Sequence, residues 1–315
     1  MLLLATRTIL SKENLSAFAL ALLGVISIAA GVVLAVSSEI GPCATAFWRF
    51  AFGGTACACF SFWVLGAEAI PQYIRLLRKP EMWLAGFAFA LVVAFWYSGM
   101  RISSVATTST FHNMTPLLLV LAAWLFCRRS PSVQMLAGLG VALAGATVLA
   151  MQSGDAAEQT LEGDLLALAS AGFLAGYYYL LTKLTREAHP WVVMTIVSFV
   201  SGTVLLLIAT AYEGQILPVT MTNWIIVAAL GFFSMVLGQA LLAWASNRLG
   251  AFGIGSVTLL EPGFSAILAT IFIAAPLHSQ HMIGMCLTFA GLFVILEHRS
   301  RVQRQPVTPL QLKEA

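Results

Sequence analysis

Two stretches of the chain, QMLAGLGVALAG at residues 134–145 and QHMIGMCLTFAG at residues 280–291, match each other at a fixed offset of 146 residues. The same offset relates Pro116 to Pro262. The matched pairs within the two stretches are Gln134 and Gln280, Gly138 and Gly284, and Gly145 and Gly291. Prolines break helices and glycines let helices approach closely, so these matches reflect architecture more than composition. They predict a structural unit of about half the chain that occurs twice.

The composition indicates a membrane protein. Of the 315 residues, 60% are hydrophobic and 9% are charged, with a mean hydropathy of +0.91. A soluble domain carries about 25% charged residues, so this chain lacks the charge to cover a water-exposed surface. The net charge of +3 is small and the basic residues form short clusters between apolar runs, which argues against nucleic-acid binding. The five cysteines lie in or beside apolar runs, so we expect no disulfide framework, no metal site and no cofactor.

Ten apolar stretches are long enough to be membrane helices, which need about 20 mainly apolar residues. They cover residues 15–36, 42–65, 81–100, 103–126, 132–150, 161–182, 190–211, 222–246, 251–274 and 279–297. Short connections that contain glycine or proline separate most of them. The first stretch is longer than a signal-peptide core and no convincing cleavage site follows it, so we expect it to remain as a helix.

The basic residues predict the orientation. Thirteen lysines and arginines flank the stretches on one side, whereas only Arg101 and Arg248 are assigned to the other. By the positive-inside rule, both termini are cytoplasmic and the protein lies in the cytoplasmic (inner) membrane. Five helices per unit is an odd number, so the second unit is inverted relative to the first, as in many membrane transporters.

The predicted fold class is therefore all-α integral membrane, with ten transmembrane helices in two inverted five-helix repeats. The predicted order is a cytoplasmic N-terminus (1–14), a first repeat (15–150), a polar external linker (151–160), a second repeat (161–297) and a basic cytoplasmic tail (298–315).

Several segments resemble the EamA-type exporters of the drug/metabolite transporter superfamily. They are PCATAFWRF at 42–50, residues 104–126 with Pro116, GDLLAL at 163–168, and residues 250–272 with Glu261 and Pro262. The resemblance covers residues 15–297. It implies that the first, third, fourth, sixth, eighth and ninth helices line a central cavity, and that the fifth and tenth form a peripheral packing pair. Family members often end the fourth helix with a glutamate, whereas this chain has Cys127, Arg128 and Arg129 there, so no role of that acid can be transferred.

Two charged residues stand out because they lie well inside the apolar stretches, where charge is costly and often functional. Glu261 directly precedes Pro262, which tends to kink the helix, so the carboxylate is a candidate substrate or cation ligand in a cavity. The alternative is a structural ion pair with Arg49. For Arg49 we favour the structural role, because the resemblance places its helix on the outside of the bundle.

Thr115 occupies the position in the first repeat that Glu261 occupies in the second. His112 and Asn113 lie one turn before Pro116 and are candidates to bind a polar substrate or relay a proton. The alternative is that both bind neighbouring helices as packing contacts.

The remaining substrate-binding candidates lie in helices that the resemblance places around the cavity. An inward-facing ring could stack on a planar or cationic group, although a belt of aromatics at the membrane interface is an equal alternative. These candidates are Trp96, Tyr97, Tyr177, Tyr178, Gln239 and Trp244. Gly138, Gly145, Gly284 and Gly291, like Pro116 and Pro262, are predicted to be structural.

The sequence contains no metalloprotease, serine-hydrolase or P-loop motif, so we expect a transporter and not an enzyme. The predicted function is export of an amino acid or related zwitterion by alternating access, as a secondary or facilitative transporter. The partners would be a small-molecule substrate and the lipid bilayer, with the chain a monomer or a homodimer. One alternative is a cationic or aromatic heterocyclic substrate; another, of a different class, is an intramembrane enzyme or a non-transporting scaffold.

Overall fold

The computed structural model describes residues 12–103, 105–128, 130–151, 160–273 and 279–304, and its regular elements in these ranges are helices. The first half contains α1 (Lys12–Val36), α2 (Pro42–Leu65), α3 (Ala69–Leu77), α4 (Pro80–Ile102), α5 (Val105–His112), α6 (Thr115–Cys127) and α7 (Val133–Ala150). The second half contains α8 (Leu161–Thr185), α9 (Pro190–Tyr212), α10 (Met221–Leu230), α11 (Ala240–Val257), α12 (Glu261–Ile273) and α13 (Ser279–Arg304). The predicted all-helical class is confirmed. Residues 1–11, residues 152–159 of the predicted linker and residues 305–315 of the predicted tail lie outside the described residues.

Within the described ranges, seven stretches are long and apolar enough to cross a membrane, and Val133–Leu149 and Ser279–Ile295 are shorter apolar helices. One of the seven, Met221–Phe272, has 52 residues. A straight helix of that length would span about 78 Å at 1.5 Å per residue, more than twice the hydrocarbon core of about 30 Å. Gly250 has φ 67° and ψ 174°, so the chain turns sharply there. This turn lies at the boundary predicted between residues 222–246 and 251–274.

Helices α7 and α13 pack closely through their matched glycines. A Cβ atom on Gly138 would lie 3.0 Å from the carbonyl oxygen of Gly291, and one on Gly145 would lie 2.6 Å from that of Gly284. The two helices therefore run antiparallel. In the repeat, Gly138 corresponds to Gly284 and Gly145 corresponds to Gly291. The contact of Gly138 with Gly291 is therefore equivalent to the contact of Gly284 with Gly145, as at a two-fold symmetric interface. The two repeats are thus inverted relative to each other, and the packing role predicted for these glycines has a direct structural basis.

Other helix pairs follow the same approximate symmetry. Helix α4 packs on α8, where a Cβ on Gly99 would meet the carbonyl oxygen of Gly163 at 2.9 Å. The equivalent pair is α1 with the segment that follows α10. This segment, Gly231–Gln239, has π-helical hydrogen bonding. A Cβ on Gly24 would lie 2.9 Å from the carbonyl oxygen of Gly238. Helix α2 packs on its own counterpart, α9.

The connections at each end of the bundle are joined by polar contacts. At one end, both carboxylate oxygens of Glu213 accept hydrogen bonds at 2.8 Å from the backbone N–H groups of Cys43 and Ala44, and so cap the first turn of α2. At the other end, Lys79 forms an ion pair with Glu187. Lys183 pairs with Glu81 at 3.0 Å in the same region. The connection before α2 and the one after α9 therefore lie at one end of the molecule. The connections that precede α4 and α9 lie at the opposite end.

The structure corrects the predicted side of Arg248. Its neighbour Asn247 accepts a hydrogen bond from the Thr185 hydroxyl at 2.9 Å, next to Lys183 and Arg186. Arg248 therefore lies at the end that carries the clustered basic residues. The sequence assignment was wrong because, with ten alternating helices, the connection between 222–246 and 251–274 lies on the same side as the N-terminus. The correction strengthens the charge asymmetry.

Helix α3 was predicted as part of a connection because Pro71 was interpreted as a helix breaker. Proline is tolerated in the first turn of a helix, where its missing N–H has no partner to lose. Pro71 is the third residue of α3. Leu76 and Ala69 are buried against the bundle, whereas Ile70, Ile74 and Leu77 are exposed.

The outer surface of the bundle is apolar. Among its large exposed side chains are Trp63, Phe126, Trp124 and Phe272, with exposed fractions of 81%, 84%, 53% and 70%. Such a surface would be unfavourable in water and is typical of contact with lipid.

Candidate functional site

Both repeats interrupt a helix at the same place. In the first, α5 ends at His112 and a two-residue turn, 113–114, leads into α6 at Thr115. In the second, a 3-10 turn, Thr258–Leu260, leads from α11 into α12 at Glu261. Pro116 and Pro262 are the second residues of α6 and α12, where proline is compatible with a helix start. The symmetry therefore places a tightened, proline-containing turn at equivalent positions in the two repeats.

The interruptions meet at a small cavity. Its volume is about 20 Å³, which is room for a single water molecule. The lining comes from α5, α6, α8, α11, the 3-10 turn and α12. It consists of His112, Asn113, Thr115, Pro116, Leu174, Tyr178, Gly255, Thr258, Leu259 and Glu261. The predicted candidates His112, Asn113, Tyr178 and Glu261 are thus brought together, in a closed conformation.

A hydrogen-bond chain fixes the orientation of His112. The Ser170 hydroxyl donates its proton to the carbonyl oxygen of Val92 at 2.9 Å. It lies 3.0 Å from Nδ1 of His112, so it must accept from that nitrogen. In its neutral form the imidazole therefore carries its proton on Nδ1, which leaves Nε2 as an acceptor.

Thr115 and Glu261, the symmetry-related pair, differ in how their polar groups are satisfied. The Thr115 hydroxyl donates to the carbonyl oxygen of His112 at 2.9 Å and approaches that of Ala171 at 3.4 Å. The Glu261 carboxylate has no hydrogen bond or ion pair within 4 Å among the described residues. The Thr115 hydroxyl is thus satisfied by the backbone, whereas the Glu261 carboxylate is an acceptor that a ligand in the cavity could bind.

Arg49 lies near this carboxylate. Its guanidinium interacts electrostatically with Tyr97 and Glu261 and lies 4.7 Å from the centre of the Phe50 ring. Its Nε is buried without a hydrogen-bond partner among the described residues. Gly53 and Gly231 explain the position: a Cβ on Gly231 would lie 2.9 Å from the Arg49 carbonyl oxygen, so α2 approaches the π-helical segment closely. The resemblance placed this helix on the outside, whereas the structure brings the Arg49 charge within reach of Glu261.

Two aromatic candidates form a layer behind the cavity. The Trp96 ring stacks on His112 with centroids 5.1 Å apart, and Tyr97 stacks on Trp96 at 5.3 Å. The Trp96 Nε1 is buried without a partner among the described residues. Gln239 shares this property, since its Oε1 is buried and unpartnered in the described structure.

Two other aromatic candidates have different surroundings. Tyr177 stacks flat on Phe89 at 4.2 Å, and its hydroxyl contacts the sulfur of Met194 at 3.7 Å. Trp244 is 42% exposed and packs edge-on against His189, at an end of the bundle. Neither lines the cavity. Consecutive residues of a helix point about 100° apart, so Tyr177 and Tyr178 face different neighbours. The run of three tyrosines in the sequence does not show which of them faces the cavity.

The sequence predictions did not include Ser170, Leu174 or Gly255. Ser170 lies in a run of small apolar residues, where a serine is usually a packing residue. Its role depends on contacts with Val92 and His112, 78 and 58 residues away, which no local pattern indicates.

Comparisons with known proteins agree with this arrangement. The EamA-like transporter family matches the chain twice, at residues 15–151 and 161–297. An uncharacterized transporter of Bacillus subtilis (strain 168), YvbV, is 26% identical over 255 residues, which is 78% of this chain and 82% of that protein. A protein of known crystal structure superimposes with a TM-score of 0.73 at 22% identity and covers 92% of this chain and 99% of the other. At that identity the likeness concerns the fold alone.

Proposed function

The chain belongs to the EamA-like transporter family, and on this basis we propose that it exports an amino acid or a related small zwitterion by alternating access. Family membership makes it a multi-pass membrane transporter of small substrates. The identity of the substrate and the mode of transport are the proposed part.

The observation that carries the proposal is the proximity of two opposite, incompletely satisfied charges, Glu261 at a helix interruption and Arg49 in α2. Glu261 offers a carboxylate to an ammonium group. Arg49 offers a positive charge to a carboxylate. A zwitterion satisfies both. A multiply phosphorylated substrate would need more buried cations than the cavity region provides.

The closed cavity supports an alternating-access cycle. A space of about 20 Å³ cannot hold an amino acid, so binding requires the walls to separate. The interruptions at 113–114 and 258–260 and the turn at Gly250 are positions where a few residues can absorb such a change. Motion of one inverted repeat against the other would open the cavity to each side in turn.

We further propose that the chain crosses the inner membrane ten times and that both of its termini lie in the cytoplasm. The turn at Gly250 supports the division of Met221–Phe272 into two crossings. The antiparallel contact of α7 with α13 supports an odd number of crossings per repeat. The position of Arg248 beside Thr185 adds to the positive charge at the proposed cytoplasmic end.

Binding to the purified protein tests the substrate class. We expect an amino acid panel to raise the melting temperature of the detergent-solubilised chain for at least one member. The methyl ester and the deaminated acid of that amino acid should have little effect, because each lacks one of the two charges. If the ester stabilises as strongly as the amino acid, the site recognises cations, and the zwitterion proposal is wrong.

A further inference from the structure

A second pocket lies between α3 and the connection from α8 to α9, away from the central cavity. Its volume is about 430 Å³. Leu65, Gln72 and Arg75 line one side, and residues 185–190 line the other. The charged lining residues are Arg75, Arg186 and Glu187.

The charge of this pocket is positive. Glu187 is already paired with Lys79. Neither Arg75 nor Arg186 has an ion-pair partner among the described residues. Partial burial lowers the pKa of His189 below its ordinary value, and its Nδ1 accepts a hydrogen bond from the backbone of Trp191, so the imidazole is neutral near pH 7. Two arginine charges therefore remain uncompensated.

Helix α3 fixes the level of the pocket relative to the bilayer. The Tyr73 hydroxyl anchors the helix to the bundle, bonding to Ser61 at 2.7 Å and Thr195 at 3.1 Å. Ile70, Ile74 and Leu77, spaced four and three residues apart, form one exposed apolar face. Arg75 lies on the other side of the helix and is exposed, and the exposed Arg78 caps its C-terminal end. An apolar face and a basic face on one short helix are typical of a helix in the headgroup plane.

We propose that this pocket binds a phosphate group, held between Arg75 and Arg186, and that its source is the headgroup of an anionic phospholipid. Guanidinium groups bind phosphate oxygens in a bidentate manner, and two of them on separate elements define a site. A phosphate here would join α3 to the α8–α9 connection. The choice of a lipid source rests on the membrane placement proposed above, whereas the binding chemistry does not depend on the transported substrate.

Native mass spectrometry of the purified full-length chain tests the site. We expect the protein to retain phosphatidylglycerol in preference to phosphatidylcholine. Arg75→Gln and Arg186→Gln should each weaken phosphatidylglycerol binding about fivefold, since a basic residue near the surface contributes about 1 kcal/mol. Arg78→Gln is the matched control, because it removes the same charge from the same helix outside the pocket, and it should leave binding nearly unchanged. Melting temperatures in neutral lipid show that each variant is folded.

A parallel titration with glycerol phosphate identifies the source. Glycerol phosphate should bind much more weakly than phosphatidylglycerol; equally tight binding that depends on Arg75 and Arg186 would assign the site to a soluble ligand and overturn the lipid source. If the Arg75, Arg186 and Arg78 variants all lose phosphatidylglycerol binding equally, the lipid is attracted by the general surface charge and the proposal is overturned. Unchanged binding in Arg75→Gln and Arg186→Gln would also overturn it. The substrate-binding experiment uses other residues, so either proposal can fail alone.

Discussion

At the scale of single residues, the contrast between Thr115 and Glu261 is the basis for the proposed site. The two residues occupy equivalent places beside equivalent prolines. The threonine hydroxyl caps backbone carbonyls, whereas the carboxylate faces the cavity without a partner among the described groups. A half-buried carboxylate that has no hydrogen-bond partner among the described residues, and only the nearby charge of Arg49, is costly within an apolar bundle, so its presence favours a ligand-binding role.

Arg49 gives a test at this scale. Replacing it by glutamine should weaken zwitterion binding about tenfold, because a hydrogen bond to a charged group contributes about 1.5–3 kcal/mol. Arg49→Lys should keep part of the affinity, since it keeps the charge and loses the planar fork. Isothermal titration of the purified variants measures both effects, with Arg78→Gln as the surface control. A lower melting temperature with unchanged affinity would favour the structural role predicted from the sequence.

How far the sequence specified the site can be judged from particular residues. His112, Asn113 and Glu261 were predicted because prolines at a fixed offset mark the helix interruptions, and the structure brings them to one cavity. Tyr177 and Trp244 were grouped with them because aromatic residues carry no sign of which side of a helix they occupy. Ser170 was missed because its partners are distant in sequence.

At the scale of helices, glycine spacing determines the contact between α7 and α13. Gly145 should not tolerate alanine, since the added Cβ would lie 2.5 Å from the backbone nitrogen of Thr288. We expect Gly145→Ala to destabilise the protein by about 1–3 kcal/mol, the usual cost of overpacking. Gly140→Ala is the matched control on the same helix, because a Cβ there has no neighbouring atom within 4 Å. Thermal unfolding in detergent measures both, and equal melting temperatures would contradict the packing role.

Helix α3 shows why some elements escaped prediction. Its nine residues are too few for a membrane helix, and Pro71 suggested a break. The exposed Ile70, Ile74 and Leu77 at helical spacing were the available signal. The π-helical hydrogen bonding of Gly231–Gln239 had no such signal, because it arises where Gly231 and Gly238 let α1 and α2 approach.

At the scale of the whole molecule, the contacts between connections predict which residues share a side of the membrane. Thr220 lies near Glu39 at one end, and Arg78 lies beside the Lys79–Glu187 pair at the other. In a variant whose cysteines are replaced, Thr220→Cys should react with a membrane-impermeant maleimide on intact cells. Arg78→Cys should react only after permeabilisation. The reverse pattern would contradict the proposed orientation, and reaction of both on intact cells would contradict the separation of the two ends.

The repeat explains the scaffold, and its asymmetry is the basis for the proposed substrate site. Equivalent helices pack across an approximate two-fold axis, so equivalent contacts recur in the two repeats. Only the second repeat places a carboxylate at the interruption. A symmetric scaffold with an asymmetric site allows one binding position to face each side in turn.

Counterflow in proteoliposomes tests this account most directly. Purified protein should exchange a radiolabelled amino acid faster than empty liposomes, and Glu261→Gln should lower the rate at least tenfold at equal incorporation, by loss of a charged contact. Glu68→Gln, the same change at an exposed position outside the cavity, should exchange like the unmodified chain. Unchanged exchange in Glu261→Gln, or no exchange of any amino acid by the unmodified protein, would contradict the account.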